Sequence, residues 1–295
     1  MSLSSREISK NKKFQTALLS ISVSLVLIII KVIFGFLTNS ISILASAADS
    51  FLDVMASSVN FYSIRKSEKP ADHDHKFGHG KAEGLAGLFQ TFIIGSSAVY
   101  LIYLSVLRLL DGEHLVSVGW GIAVIALSMV VSFFLTRHIK RVAEETGSLI
   151  LSADSLHYKF DLYTNGGILA GLLAIKITGL NIIDPVISIL IAALIIWSTK
   201  DILIEAIDIL MDKELPPDTV RKIEDVIMGF NPGVKSYHKL KTRNAGSVKF
   251  VEFHVVMDHR LTFVESHEIA EEIVRTIKER IGNSEVTVHV DPDMR

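Results

Sequence analysis

Hydrophobic residues are concentrated in the first 210 or so positions of the chain, and charged residues in the remainder. Six stretches in the first part are long and apolar enough to cross a bilayer, which takes about 20 mostly apolar residues. They cover residues 14–37, 40–64, 85–110, 115–136, 149–177 and 183–209. The pattern predicts a multi-pass domain of six transmembrane helices over residues 14–210, preceded by a cytosolic tail over residues 1–13.

Lysine and arginine residues fall in alternate loops between these stretches, at Lys10, Lys12, Lys13, Arg65, Lys66, Lys69, Lys76, Lys81, Arg137, Lys140, Arg141 and Lys213. Cytoplasmic loops carry the excess of basic residues in membrane proteins. We therefore predict that both termini are cytoplasmic. Within the fifth stretch, Gly167 and Gly171 form a GxxxG pattern, which permits close packing of helices.

Residues 211–295 have the pattern of a small cytosolic α+β domain. Helical, extended, extended, helical and extended segments follow one another at residues 218–228, 236–244, 247–258, 265–281 and 285–291. Asp218 or Thr219 is expected to cap the first of these helices. The predicted order is αββαβ, and a domain of this size is marginally stable alone. Dimerisation or metal binding is expected to support it.

Composition limits the chemistry that is open to the chain. The formal net charge of −2 argues against a nucleic-acid binder, which would present a basic face. The sequence has no cysteine, so a metal ion must be held by histidine, carboxylate or backbone oxygen. The 11 histidines are therefore the residues of interest.

Two carboxylates interrupt the second apolar stretch. Asp49 and Asp53 are four residues apart and project from one face of a helix. A charged side chain at the bilayer centre costs about 2.5–3.5 kcal/mol even on the lenient insertion scale. The fifth stretch has the same spacing at His157 and Asp161, with Asp154 one turn earlier. If these helices pack together, four nitrogen and oxygen ligands converge, a set that zinc accepts.

An ion pair is the alternative explanation for the intramembrane carboxylates. Candidate cations are Lys31, Lys159 and Lys176. Lys159 lies on a different helical face from His157, and Lys176 can extend its ammonium group to the interface. A single pair with Lys31 would leave two acids unexplained, so the residues favour a metal site.

The loop after the second stretch has a dense cluster of metal-ligating residue types. Its sequence, DHDHKFGHGKAE at residues 72–83, includes His73, His75 and His79 beside two aspartates. A solvated polar loop is the alternative to metal binding. Glycines at positions 78 and 80 would let the backbone wrap around an ion.

Together these features resemble the cation diffusion facilitator family, in particular its bacterial zinc- and iron-efflux branch. The resemblance covers nearly the whole chain: six spans, DxxxD and HxxxD pairs in the second and fifth, the histidine-rich loop, and the αββαβ tail, which in the family is ferredoxin- or metallochaperone-like. It implies three metal sites. The transport site would be formed by Asp49, Asp53, His157 and Asp161, and the loop site by Asp72, His75 and His79. A binuclear site at a dimer contact would be formed by His238, His254, His267, His289 and Asp291. The resemblance also implies a charge contact of Lys81 with Asp212, or with Asp208, that links the membrane and tail domains.

The resemblance implies a homodimeric transporter, not an enzyme, in the bacterial inner membrane. We expect it to export a divalent cation from the cytosol in exchange for protons. Zn²⁺ is the expected substrate and structural ion, and Fe²⁺, Cd²⁺ and Mn²⁺ are candidates. The alternatives are a metal sensor without transport and a metallohydrolase, which needs an open coordination position and a general base. The sequence does not choose between export and import.

Overall fold

The computed structural model describes residues 5–37, 41–111, 121–178, 182–230 and 233–294. The chain divides into two compact units. The helical unit comprises Met1–Pro70 and Ala82–Ile207, and the mixed unit comprises Ala71–Lys81 and Asp208–Arg295. The histidine-rich loop therefore groups with the C-terminal residues rather than with the helices that flank it in sequence.

Six long helices build the helical unit. They are α1 (Ser5–Leu37), α2 (Ile41–Ser67), α3 (Ala82–Asp111), α4 (Gly121–Thr146), α5 (Leu149–Thr178) and α6 (Ile183–Leu210). Each overlaps one of the six predicted stretches. The start of the fourth stretch, residues 115–120, lies outside the described residues.

Three of the described helices are long and apolar enough to cross a membrane, at Glu7–Phe34, Ala82–Leu107 and Pro185–Leu210. The α2 and α5 helices, which are not among these three, contain carboxylates, a histidine and hydroxyl residues within their apolar sequence. The count of six membrane spans therefore stays a prediction.

Buried side chains of α5 belong to two clusters of apolar residues. Ile150, Leu151 and Tyr158 pack with residues of α1 to α4, and Leu156 and Phe160 pack with α3 and α6. At Gly167 a Cβ atom would lie only 2.3 Å from Ile191 Cδ1, so α6 approaches α5 closely at this position. The GxxxG pattern of Gly167 and Gly171 permits such close packing, although it did not identify α6 as the partner. The central position of α5 holds its polar side chains against α2.

The mixed unit has the predicted αββαβ order. Its elements are α7 (Pro217–Met228), β1 (Val234–Ala245), β2 (Val248–Met257), α8 (Phe263–Ile281) and β3 (Ser284–Pro292). The sheet order is β1-β2-β3; β1 and β2 are antiparallel, and β2 and β3 are parallel. The α8 helix provides the crossover that parallel strands require. Val251, Phe253 and Val255 of β2 pack with Ile273 and Ile277 of α8 in the core of this unit.

The two helices of the mixed unit begin at other residues than the sequence predicted. The α7 helix begins at Pro217 after Pro216, and no side chain caps it, so the prediction of Asp218 or Thr219 was wrong. Proline fixes the backbone φ near the helical value and suits the first helical position. The α8 helix begins earlier than predicted because Thr262 and Glu265 form a capping box.

Candidate metal centres

The first candidate centre lies between α2 and α5. Ligand atoms of Asp53, His157 and Asp161 all lie within 4.8 Å of one another. His157 Nε2 is 3.0 Å from Asp53 Oδ1 and 3.8 Å from Asp161 Oδ2. The other ring nitrogen of His157 is buried and has no hydrogen-bond partner among the described residues. Three ligands of this chemistry, close together and partly buried, suit a divalent transition metal.

The remaining residues of interest at this centre are the fourth predicted ligand, Asp49, and two lysines that could have paired with its acids. Asp49 is in α2, one turn before Asp53, but its side chain is outside the described residues. Lys31, considered above as a partner for the acids, donates to Ser50 Oγ at 2.6 Å. Lys159 has its ammonium nitrogen 5.4 Å from the centre of the Tyr163 ring. The structure therefore places Lys159 apart from the metal-ligating face of its helix.

A buried polar network holds α5 against α1 and α2 one turn before His157. Asp154 is 1% exposed, and its two oxygens accept hydrogen bonds from Ser20 Oγ at 3.0 Å and Asn60 Nδ2 at 2.8 Å. The Tyr158 hydroxyl lies 2.9 Å from Ser57 Oγ. Because every partner is fixed by packing, the network sets the rotation of α5 and therefore the direction of His157. Asp154 has enough partners of its own to explain its burial.

The second candidate centre is in the histidine-rich loop of the mixed unit. Ligand atoms of Asp72, His75 and His79 lie within 4.8 Å of one another. His79 is 6% exposed, and neither of its ring nitrogens has a hydrogen-bond partner among the described residues. Asp72 Oδ2 lies 3.4 Å from His79 Nε2, and a buried imidazole without a hydrogen-bond partner is rare unless an ion or water satisfies it. His73, by contrast, is 96% exposed at its side chain and contacts Asp74.

The backbone of this loop holds Asp72 as a carboxylate. Hydrogen bonds from the backbone and side chain of His75, and from the backbone of Asp74, lower the pKa of Asp72 to about 2. Metal ligands must be deprotonated to bind. Asp72 is therefore ionised and available as a ligand throughout the physiological pH range.

Two glycines shape the loop. Gly78 has a φ of 75°, in the left-handed region that glycine adopts without strain. A Cβ atom at Gly80 would lie 2.1 Å from the backbone oxygen of Ala245, so the loop passes directly against the end of β1. Any side chain at position 80 would push the loop away from this strand.

Gly80→Ala is expected to destabilise the mixed unit by about 1–3 kcal/mol because the backbone of β1 has no room for a methyl group. Hydrogen exchange of residues 71–81 should rise, and metal binding to the loop should weaken. The matched control is Gly95→Ala in α3, where a Cβ would meet nothing within 4 Å. That change should be neutral or stabilise by up to about 1 kcal/mol. Equal exchange in both variants would contradict the assigned role of Gly80.

Charged and aromatic side chains fasten the loop within the mixed unit. Lys81 Nζ is 3.0 Å from Asp212 Oδ2, and Arg243 is 3.0 Å from Asp212 Oδ1. Partial burial opposes ionisation of Asp212, but these two hydrogen bonds lower its pKa overall. The Arg243 guanidinium also lies over the rings of Phe77 and Phe250. Asp208, the alternative partner of Lys81, instead contacts Lys213.

The third candidate centre is on the sheet of the mixed unit. The strand register places His238 opposite His254, and His254 opposite His289. Asp291 contacts all three: its Oδ2 is 3.0 Å from His254 Nδ1 and 3.3 Å from His238 Nε2, and its Oδ1 is 3.2 Å from His289 Nε2. The hydrogen bond with His254, helped by the charges of the other histidines, lowers the pKa of Asp291.

His267 is the predicted member that the structure does not bring to this cluster. It lies in the first turns of α8, where its ring stacks on that of Phe263. The other four predicted residues converge because adjacent strands align them. Among the described residues of this protomer, the groups that could hold an ion here are His238, His254 and Asp291, with His289 beside them.

Sequence reasoning missed a buried ion cluster at the ends of α1, α2 and α3. Lys13 Nζ is 2.8 Å from Glu68 Oε1 and 3.6 Å from Glu83 Oε1, and Ser148 donates to the same Glu83 oxygen. Lys13 is 0% exposed, Glu68 9% and Glu83 1%. No local pattern predicts this cluster because its members are far apart in sequence. It joins three helix ends and the start of α5.

The helical unit thus contains apolar helices long enough to span a membrane and a cluster of metal-ligating residues between α2 and α5. This combination defines a class of membrane proteins that bind metal cations. Residues 17–211 match the cation efflux transmembrane domain, and residues 215–293 match the cytoplasmic domain of cation efflux proteins. The chain therefore belongs to the cation diffusion facilitator family, a family of cation-efflux transporters rather than enzymes. It is an integral membrane protein.

The chain is similar to the following curated relatives and solved structure. The cation-efflux pump FieF of Cronobacter sakazakii is 37% identical over 278 residues, which are 94% of this chain and 92% of that protein. FieF of Pectobacterium carotovorum is 36% identical over 271 residues, 92% of this chain and 90% of that protein. Among solved structures, the metal-bound C-terminal domain of the CzcD transporter from Thermotoga maritima is 27% identical over 26% of this chain and 93% of its own, with a TM-score of 0.25.

Proposed function

We propose that the protein is a proton-coupled antiporter that exports a divalent transition-metal cation, Zn²⁺ foremost, from the cytosol. The observation that carries this proposal is the convergence of Asp53, His157 and Asp161 inside the helical unit, with ligand atoms within 4.8 Å. The names of the relatives, cation-efflux pumps, support the direction of transport. We assign Asp49, one helical turn from Asp53, as the fourth ligand.

The ligand chemistry supports zinc as the substrate. Three carboxylates and one imidazole make a four-coordinate nitrogen and oxygen set of the kind zinc accepts. Fe²⁺, Cd²⁺ and Mn²⁺ also bind such ligands, and intrinsic affinity alone does not select among them. The imidazole of His157 favours zinc over harder cations, which prefer oxygen throughout.

Proton coupling follows from competition at the same ligands. A metal ion binds only deprotonated carboxylates and neutral imidazole. When the ion leaves, burial and mutual repulsion disfavour a cluster of bare carboxylates, so protons replace it. Loading from the cytosol then releases protons, and protonation from the outer side expels the ion. The proton gradient drives export if the helices alternate their opening.

Four protein ligands also argue against the alternatives. A metallohydrolase needs an open coordination position and a general base. A sensor would have a use for the loop and sheet centres but not for ligands between membrane helices. We further propose that both termini face the cytoplasm of a bacterial cell and that the protein is a homodimer. The match of residues 215–293 to a family domain named for dimerisation supports the dimer.

Metal flux into proteoliposomes with an imposed pH gradient tests the antiport. We expect Zn²⁺ uptake that is driven by the gradient and collapses when a protonophore dissipates it. Competition by Fe²⁺, Cd²⁺ and Mn²⁺ in the same vesicles ranks the substrates. Flux that ignores the gradient would contradict proton coupling, and absence of flux would favour the sensor. In cells, deletion of the gene should raise metal content if the protein exports, and lower it if it imports.

Asp291→Ala is expected to remove zinc from the sheet centre because Asp291 is the residue that contacts all three histidines of that cluster. Metal stoichiometry of the full chain, measured by elemental analysis after equilibrium dialysis, should fall by at least one ion per protomer. Asp293→Ala, two residues further along the chain, is the matched control and should keep the wild-type stoichiometry. Equal stoichiometry in both variants would refute the sheet centre.

A further inference from the structure

A basic cavity lies between α4, α5 and α6, and none of its lining residues belongs to a candidate metal centre. Its volume is about 390 Å³, within the usual range of ligand sites. Arg137 and Lys140 of α4 and Lys159 of α5 line it, together with one carboxylate, Glu144. Three cations repel a metal ion, so this cavity is unsuited to the transported substrate. Its charge instead suits an anion.

Two of the cations have no carboxylate partner among the described residues. Arg137 lies over the ring of Phe133 at 5.6 Å, and Lys159 lies over the ring of Tyr163 at 5.4 Å. Lys140 contacts Glu144 at 3.6 Å, but both side chains are 68% exposed, and such a pair contributes little. The charge of the cavity is therefore largely uncompensated by the protein itself.

Arg137 directly follows the fourth apolar stretch, residues 115–136, and is one of the basic residues that predict a cytoplasmic loop, so the cavity adjoins the predicted cytoplasmic boundary of the membrane. Lys159 is ten residues into α5, about 15 Å along the helix from the turn with α4, and Arg137 is a similar distance before that turn. On α6, Trp197 is 74% exposed, with Lys200 5.6 Å from the centre of its ring. Ser198, the next residue, lines the cavity.

The rest of the lining is suited to a ligand with a polar head and apolar tails. The hydroxyls of Ser152 and Ser155 face the cavity, and so do Leu162 and Ile202. Phe134, next to the lining residue Phe133, is 66% exposed on the surface of the helical unit. A phosphodiester would meet the cations and hydroxyls while its acyl chains lie along exposed apolar side chains. Basic pockets between membrane helices on the cytoplasmic side bind such headgroups.

We propose that this cavity binds the phosphodiester headgroup of an anionic phospholipid from the cytoplasmic leaflet. The lipid would neutralise Arg137 and Lys159 and bridge α4 to α5 and α6. Since α5 also carries His157 and Asp161, the bound lipid would stabilise the helix that holds half of the transport ligands. Lipid binding is measured without metal, so its test does not depend on the proposed transport.

Titration of the detergent-solubilised, metal-free full chain with dioctanoyl phosphatidylglycerol tests the proposal. We expect saturable binding by calorimetry and a raised melting temperature. Arg137→Gln with Lys159→Gln should weaken the affinity roughly 30-fold, the loss expected for two cations near a lipid surface. Arg137→Gln with Lys140→Gln, which leaves α5 unchanged, should also weaken it at least tenfold or so by the same rule.

The matched control is Lys12→Gln with Arg141→Gln, which removes two cations that both contact Glu145 and do not line the cavity. This variant should keep wild-type affinity for the lipid. Equal weakening in the control would show general charge attraction and overturn the proposal. Equal affinity for dioctanoyl phosphatidylcholine would overturn the anionic specificity. If inorganic phosphate binds with the same affinity and raises the melting temperature equally, the cavity binds a soluble anion and the proposal of a lipid ligand is wrong.

Discussion

Asp53→Ala and His157→Ala should each lower the rate of zinc transport by more than roughly 100-fold, because substitutions in the outer shell of a metal site alone cost about 10–100-fold. Each change removes a ligand atom from the cluster between α2 and α5. Both side chains are only partly buried, so the truncated proteins should still fold. The measurement is the initial rate of Zn²⁺ uptake into proteoliposomes with an imposed pH gradient.

His259→Ala is the control for these variants. His259 follows β2 in the mixed unit, its side chain is 61% exposed, and it has no role in any candidate centre. Its transport rate should match wild type. Transport at the wild-type rate in Asp53→Ala or His157→Ala would end the assignment of the transport site.

His157→Asp tests whether the imidazole nitrogen of His157 determines metal preference, because the variant replaces this ligand by a carboxylate instead of removing it. This change keeps four ligands but makes all of them oxygen, which suits harder cations. We expect zinc transport to fall further than manganese transport, so the ratio of the two rates should move toward manganese. An unchanged ratio would mean that His157 does not determine the preference.

Much of this architecture could be predicted because its causes are local. Long apolar runs predict helices, and the four-residue spacing of His157 and Asp161 places both on one face of α5. The alternation in β2 and the turn before it predict a hairpin. The convergence of α2 on α5 was only a hypothesis from sequence, since it depends on how six helices pack.

Non-local contacts explain what local sequence patterns did not reveal, since only the family resemblance implied that His254 and His289 belong to one site. The position of His289 beside His254 depends on the register between β2 and β3, which no single strand specifies. The histidine-rich loop groups with the mixed unit because Arg243 packs over Phe77 and pairs with Asp212. Nothing in the residues around position 77 indicates a partner more than 160 positions away. The ion cluster of Lys13 was missed for the same reason.

Lys13→Ala should lower the free energy of unfolding by about 3–5 kcal/mol, the usual result of removing one partner from a buried ion pair. Lys13 is 0% exposed and faces two carboxylates, Glu68 at 2.8 Å and Glu83 at 3.6 Å. Without the ammonium group, both carboxylates would remain buried and uncompensated. Chemical denaturation of the full chain in detergent micelles measures the change.

The neighbouring residue provides the control, because Lys12 also pairs with a glutamate but at the surface. Lys12 is 2.7 Å from Glu145, with side-chain exposures of 49% and 36%. Lys12→Ala should therefore lower the free energy of unfolding by at most about 1 kcal/mol. Equal losses in the two variants would show that burial of the Lys13 cluster adds nothing to its contribution.

A triple variant distinguishes charge balance from packing at the same cluster. Lys13→Met with Glu68→Gln and Glu83→Gln keeps the side-chain volumes but removes all three charges. Replacing a complete buried ion cluster by neutral groups is often neutral or stabilising, because the desolvation cost disappears together with the attraction. The triple variant should therefore be more stable than Lys13→Ala alone. If it is equally unstable, the lysine stabilises the three helix ends by packing and hydrogen bonding rather than by compensating two buried carboxylates.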